Sequence, residues 1–272
     1  MLVKNKKIKT VAFAIFVCIV GNFGILSLLP RLVSRIALLF GTSLQSSDLL
    51  TKYSIGIGVR VFGCLLLLFI MKKMRILEQF HDKVTWKTVA ITWMFYLYII
   101  FNFEYSGLNG NTWIIVMAMI IDALLVGLYE EFVFRGFVLN IFIKRWGKSH
   151  KGVVTSAYLS SIIFGLVHLF NLFSGAGVVE VCVQVVYATI MGIAFSALLI
   201  RTNWNLLWCA LIHGLFDVAA GFGDFAATSG ISGDKAVVPL QNYIITLLLF
   251  VPSLVYAIFL LRKVGELPSG NK

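Results

Sequence analysis

Apolar residues gather along the chain in runs separated by short polar or basic stretches, and eight of these runs are long enough to be read as bilayer-crossing helices. They fall near 10–29, 53–71, 88–103, 113–143, 154–173, 178–200, 204–221 and 242–261. Each approaches or exceeds the roughly 20 residues that a hydrocarbon core of about 30 Å requires. The fourth run, 31 residues long, is too long for a straight crossing and predicts a tilted, kinked or extended helix. The pattern therefore predicts an all-α polytopic integral membrane protein of about eight transmembrane helices. Lys4, Lys6, Lys7 and Lys9 precede the first run as in a secretory signal. No small-residue cleavage pattern follows, so the run is expected to be a retained helix.

Composition supports that reading. Of 272 residues, 60% are hydrophobic and 13% charged, whereas a soluble domain sits near half and a quarter. An ordinary soluble globule is excluded. The formal net charge of +11 would suggest nucleic acid in another context, but here the basic residues flank the apolar runs. Membrane lipid, not nucleic acid, is the partner expected.

Their distribution orients the chain. On one set of connections stand Lys4, Lys6, Lys7, Lys9, Lys72, Lys73, Arg75, Lys83, Lys87, Lys144, Arg145, Lys148, Lys151, Arg201, Arg262, Lys263 and Lys272, seventeen in all. The other set holds five, namely Arg31, Arg35, Lys52, Arg60 and Lys235. The positive-inside rule then places both termini in the cytoplasm of a multi-pass plasma-membrane protein. The outer connections 101–112 and 221–241 are rich in Gly, Ser and Asn and read as ordinary loops. Cys18, Cys64, Cys182 and Cys209 lie in apolar runs without CxxC spacing. They are expected to be small buried hydrophobes rather than a disulfide framework or thiolate metal site.

Charges inside the runs carry the functional information, because each costs about 2.5–3.5 kcal/mol at mid-bilayer. The fourth run holds Asp122, Glu130, Glu131 and Arg135, and the seventh holds His213 and Asp217. Such groups must face one another or a wet cavity. Glu131 and Arg135 stand at i,i+4 in the favourable order for an ion pair. Glu130 lies about 100° around the helix and is the carboxylate left free for chemistry. Asp122, two turns earlier, either lines the cavity or caps a neighbouring helix. Phe164 and His168 share a face of the fifth run. Asn205, His213 and Asp217 fall on one stripe of the seventh.

Counted from the nearest basic flank at 1.5 Å per residue, Glu130, His168 and His213 lie at about 21, 25 and 18 Å. Three groups on three helices thus share a depth and can meet around one cavity. Two hydrolytic routes stay open. In one, Glu130 helped by His168 deprotonates an attacking water, while His213 and a neighbour stabilise the oxyanion. In the other, His168, His213 and the Glu130 carboxylate hold zinc or another divalent metal that activates the water. There is no HExxH and no GxSxG, so neither a zincin nor a serine mechanism is indicated.

At these residues the chain resembles a known family. Glu130 to Arg135 matches EExxxR, Phe164 to His168 matches FxxxH, and His213 is followed four residues later by Asp217. In this order, over roughly 120–220, they resemble the CPBP family, the CAAX-protease and bacteriocin-processing (Abi) intramembrane proteases. The resemblance implies a glutamate-dependent intramembrane endopeptidase with Glu130, His168 and His213 catalytic and Glu131 and Arg135 supporting. It makes 113–221 the catalytic core, preceded by three helices over 1–112 and followed over 222–272 by a loop, a last helix and a basic tail. All three parts form one membrane domain. The prenyl-protease branch typically has Asn where this chain has Asp217, which shifts that residue toward orienting His213 or a metal. Short loops and abundant lysine resemble the bacterial members, associated with bacteriocin immunity and peptide processing. The expected substrate is accordingly a membrane peptide or protein, lipidated or bacteriocin-like, rather than a prenylated CaaX protein.

Two rival readings use the same residues. A non-catalytic immunity or scaffold protein would only pair its charges. A proton-coupled transporter would show inverted repeats and broken helices at corresponding positions, and the sequence shows no internal repeat.

Overall fold

A computed structural model describes residues 2–39, 49–104, 112–228, 239–262 and 264. Most of the predicted outer loops, Lys235, Lys263 and the basic tail fall outside the described residues. The rest is helical, with no strand among the described residues. Among the described residues seven helices are long and apolar enough to cross a membrane.

The first crossing joins α1 (Leu2–Cys18), a π-helical segment (Ile19–Leu28) and α2 (Leu29–Leu39), and α3 (Leu49–Lys73) forms the second. The predicted third crossing is instead two short helices, α4 (Trp86–Ile91) and α5 (Trp93–Asn102). A reciprocal Thr85–Thr88 capping box starts α4. The break falls at Thr92, whose hydroxyl donates to Thr88 O at 2.8 Å and accepts from Trp208 Nε1 at 2.9 Å.

The 31-residue run is part of a single 34-residue helix: α6 (Trp113–Glu131), a π-helical stretch (Phe132–Leu139) and α7 (Asn140–Trp146). A π-helix inside a longer helix is a recognised cause of bending and is common at functional sites. Next come α8 (His150–Val167), tightening into a 3₁₀ turn (His168–Ser174), α9 (Val178–Arg201), α10 (Leu206–Thr228) and α11 (Leu240–Leu261). Helix α10 continues through 221–228, which the sequence assigned to a loop.

Contacts fix the directions of the helices. A side chain at Gly56 would meet Asp122 and one at Gly63 would meet Tyr129, so α3 and α6 advance together and run parallel. The chain between them must therefore return. Helix α5 does so alongside α10, from Thr92 beside Trp208 to Phe103 against Phe222 at 4.5 Å between ring centroids. The third apolar run thus covers the depth of α10 although it is too short and too broken to count as a long span.

The predominantly basic ends meet on one face. Arg201 Nε donates to Leu260 O at 2.5 Å, His150 Nδ1 lies 2.8 Å from Val264 O, and Asn140 Nδ2 donates to Gln79 Oε1 at 2.7 Å. Three of the four cysteines are buried as expected. Cys182 of α9 is exposed, a correction to the expected burial, and it lies between Glu180 and Gln184 in the more polar first half of that helix.

Helices α6 and α10 cross closely because both present glycine. A Cβ on Gly127 would stand 2.6 Å from Gly214 Cα, and one on Gly214 would stand 2.8 Å from Leu124 Cα. Membrane helices gain affinity through such small-residue contacts. Gly127→Leu is expected to destabilise the protein by at least about 1–3 kcal/mol through overpacking, measured as a lower thermal midpoint in detergent.

Candidate active site

The Gly127–Gly214 crossing brings the end of α6 against the middle of α10, and the acids of one helix meet the histidine of the other. Glu131 is fully buried and divides its contacts between two partners. Its Oε1 lies 3.0 Å from Arg135 Nη1 and 2.9 Å from His213 Nδ1. The i,i+4 ion pair expected from the sequence is present. Arg135, 1% exposed, is the largest fully buried side chain described. Its guanidinium lies over the ring of Phe164 at 4.7 Å and near that of Phe195 at 5.5 Å, and Nη2 donates to Gly192 O at 3.1 Å. Cation–π contacts with two rings favour keeping a cation in an apolar interior.

His213 inherits its orientation from this frame. A carboxylate only accepts hydrogen bonds, so Nδ1 carries hydrogen toward Glu131 and Nε2 points the other way. Phe195 stacks on the imidazole at 4.7 Å, and Phe164 meets it edge-on at 6.0 Å. On the Nε2 side, Glu130 Oε2 is 3.6 Å away and Asp217 Oδ2 is 3.8 Å away. Both exceed direct hydrogen-bond length but suit an intervening oxygen atom. Asp217 Oδ2 is itself buried, whereas Glu130 keeps 15% of its side-chain surface exposed, so access to the Nε2 side runs past Glu130.

His168 sits where α8 tightens into the 3₁₀ turn, and its ring meets the edge of Phe164 at 5.3 Å. Glu130 and His213 are both close enough to His168 to act on it electrostatically. Phe164 thus touches the rings of both His168 and His213, and Glu130 joins them through His213.

Two predicted members lie elsewhere. Asn205 precedes α10 rather than joining its stripe. Its Oδ1 accepts from Trp208 N at 2.9 Å and its Nδ2 donates to Lys83 O at 3.2 Å, so it caps the helix end. Asn205→Ala is expected to cost about 1 kcal/mol and to leave turnover unchanged, checked by thermal unfolding beside a cleavage assay. Asp122 pairs with Arg60 of α3, away from the histidines. Arg60 accordingly belongs inside the bundle, not to an outer segment.

Sequence reasoning missed Phe195 and the Gly192 carbonyl. One more phenylalanine in an apolar helix and a backbone oxygen leave no readable signal. Among the described residues no three His, Cys, Asp or Glu side chains stand close enough to hold one metal ion. The metal candidates Glu130, His168 and His213 do not form such a set.

Fold and cluster together define a polytopic α-helical membrane protein with a buried glutamate–histidine centre. Residues 111–219 match the family model described as type II CAAX prenyl endopeptidase Rce1-like, so this part of the chain is similar to that family, in line with the resemblance carried by the motifs at Glu130–Arg135, Phe164–His168 and His213–Asp217. No curated protein and no solved structure matches the chain.

Proposed function

We propose that the protein is an intramembrane endopeptidase that hydrolyses a peptide bond in a membrane-associated peptide or protein. The observation that carries this reading is the division of labour between adjacent acids. Glu131 takes the Arg135 ion pair, and Glu130 is left facing the accessible side of His213. A scaffold needs its charges saturated, and Glu130 is the acid this arrangement leaves over.

In the proposed reaction a water beside Glu130 and His168 attacks the carbonyl carbon. Glu130 accepts the proton released and delivers it to the leaving amine, while His168 orients the water. His213, carrying both protons and held at Nδ1 by Glu131, presents Nε2–H to the developing oxyanion. Asp217 orients that ring from one turn away. Glu131, Arg135, Phe164 and Phe195 keep the donor fixed, which is what makes such stabilisation effective. No step requires a metal. The basic face is read as cytoplasmic by the positive-inside rule, in the plasma membrane. The physiological substrate is a membrane-active, bacteriocin-like or lipidated peptide, processed for maturation or immunity.

The test is cleavage of a mixed pool of hydrophobic and lipidated peptides by purified protein in detergent, read by mass spectrometry with and without chelator. Internal cleavage that survives chelation supports the reading. Cleavage lost with chelator and restored by zinc moves the mechanism to a metal. An intact pool, together with protection against a cognate peptide that persists in cells after Glu130→Gln, would establish the scaffold instead.

A further inference from the structure

Away from the histidine cluster, the first crossing, α3 and α6 enclose a cavity of about 1010 Å³. Arg31 and Arg35 line it from α2, Lys52 and Arg60 from α3, and Asp122 from α6. Four cations thus surround one carboxylate. Arg60 is committed to Asp122 at the floor. Among the described residues no ion pair within 4 Å reaches Arg31, Arg35 or Lys52, and Lys52 acts on the already paired Asp122 only at longer range, so the cations here outnumber the acid.

Their position is the anomaly. Among the described residues the other lysines and arginines at helix ends, such as Lys72, Lys73, Lys144, Arg145, Arg201 and Arg262, lie with the basic face, whereas these gather at the opposite end of the bundle, against the usual charge bias. Arg31 stands 21 residues beyond Thr10, where the apolar crossing begins, and so roughly 30 Å across. That is the thickness of the hydrocarbon core, which places it at headgroup level. Arg31 and Arg35 are one turn apart on the same face of α2, and Lys52 is in the first turn of α3. Arginine forks match phosphate oxygens in a bidentate manner, with lysine as an added point charge.

The remaining lining says what carries the phosphate. Leu28 and Leu32 border the cavity and are themselves exposed on the outer surface of the bundle, where acyl chains lie. Ile55 and Val59 continue the apolar wall inward. The volume is at the upper end for a small-molecule site and exceeds what a bare phosphate ion requires. We propose that this cavity binds the phosphate headgroup of an anionic phospholipid from the leaflet opposite the basic face. Arg31, Arg35 and Lys52 hold the phosphate, and the chains lie along Leu28 and Leu32. The assignment is independent of proteolysis.

The experiment places the full chain in phosphatidylcholine nanodiscs doped with phosphatidylglycerol and measures co-purifying lipid by native mass spectrometry. Wild type is expected to retain one phosphatidylglycerol per chain with at least tenfold preference over phosphatidylcholine. The double variant Arg31→Gln/Arg35→Gln should lose that preference tenfold or more. Lys52→Gln should weaken it separately. Lys72→Gln/Lys73→Gln, which removes equal charge from the basic face, should keep it. Thermal unfolding of each variant confirms the fold, and Lys52→Gln alone decides if the double variant is unfolded. The proposal is overturned if the cavity variants retain phosphatidylglycerol like wild type. Displacement of the lipid by millimolar inorganic phosphate would also overturn it, as a free-anion site, and displacement by a peptide carboxylate would make the cavity a peptide site.

Discussion

Glu130→Gln is expected to lower peptide cleavage by about 10²–10⁴-fold, the range attributed to a positioned general base, while the protein inserts and unfolds at nearly the wild-type temperature. The two halves of this outcome come from different contacts. Glutamine keeps the shape of the side chain and loses the ability to take a proton. Glu130 makes no ion pair with Arg135, and its nearest charged partner, His213 Nε2, is 3.6 Å away, so little packing is lost. Glu131→Gln is the contrasting variant, because Glu131 holds both Arg135 and His213. It should lose stability and activity together. Single-turnover cleavage beside thermal unfolding, both in the same detergent, separates the two behaviours. A Glu130→Gln protein as active as wild type would remove the catalytic assignment.

Arg135→Met is expected to produce the largest loss of stability, about 3–5 kcal/mol, as for other buried ion pairs broken on one side. Methionine fills much of the volume between Phe164 and Phe195, so packing changes little. What remains is Glu131, fully buried beside His213 with no cation but the ring. The double variant Glu131→Leu/Arg135→Met removes the stranded charge and should recover part of the stability. It should recover none of the activity, since His213 then has nothing to hold Nδ1. Thermal midpoints of Glu131→Leu, Arg135→Met and the double variant measure this coupling directly, and additive losses would show that the pair does not act as a unit.

The crossings were legible because a bilayer demands length and apolarity, and few other features imitate a run of that kind. Its exception is instructive. Thr92 looks harmless inside the run 88–103, yet its hydroxyl bonds to its own helix and to Trp208 and ends α4 there. The charged part of the site was legible for a related reason, since ionisable groups inside spans have few alternatives to meeting one another. Helical offsets correctly separated Glu130 from Glu131. They misled at Asn205, where offset eight from His213 was read as a shared stripe. The helix begins only at Leu206, after a turn in which Asn203 and Trp204 adopt positive φ. An asparagine just before an apolar run is an N-cap signal, and that signal outweighs periodicity at a helix end. Phe195 stayed invisible because its role depends on three-dimensional stacking with Arg135 and His213, which a one-dimensional apolar pattern does not encode.

The parallel packing of α3 and α6 also sets an order for biogenesis. Arg60 precedes its partner Asp122 by 62 residues, and at about 5–20 residues per second of synthesis the cation waits roughly 3–12 s for its acid. During that interval α3 carries an uncompensated charge that favours the interface or the protein-conducting channel over lipid. Helix α5 must turn back before α6 can deliver Asp122. Stable integration of the second crossing is therefore tied to the emergence of the fourth, and the N-terminal helices are committed to the membrane only as the segment bearing the glutamates arrives.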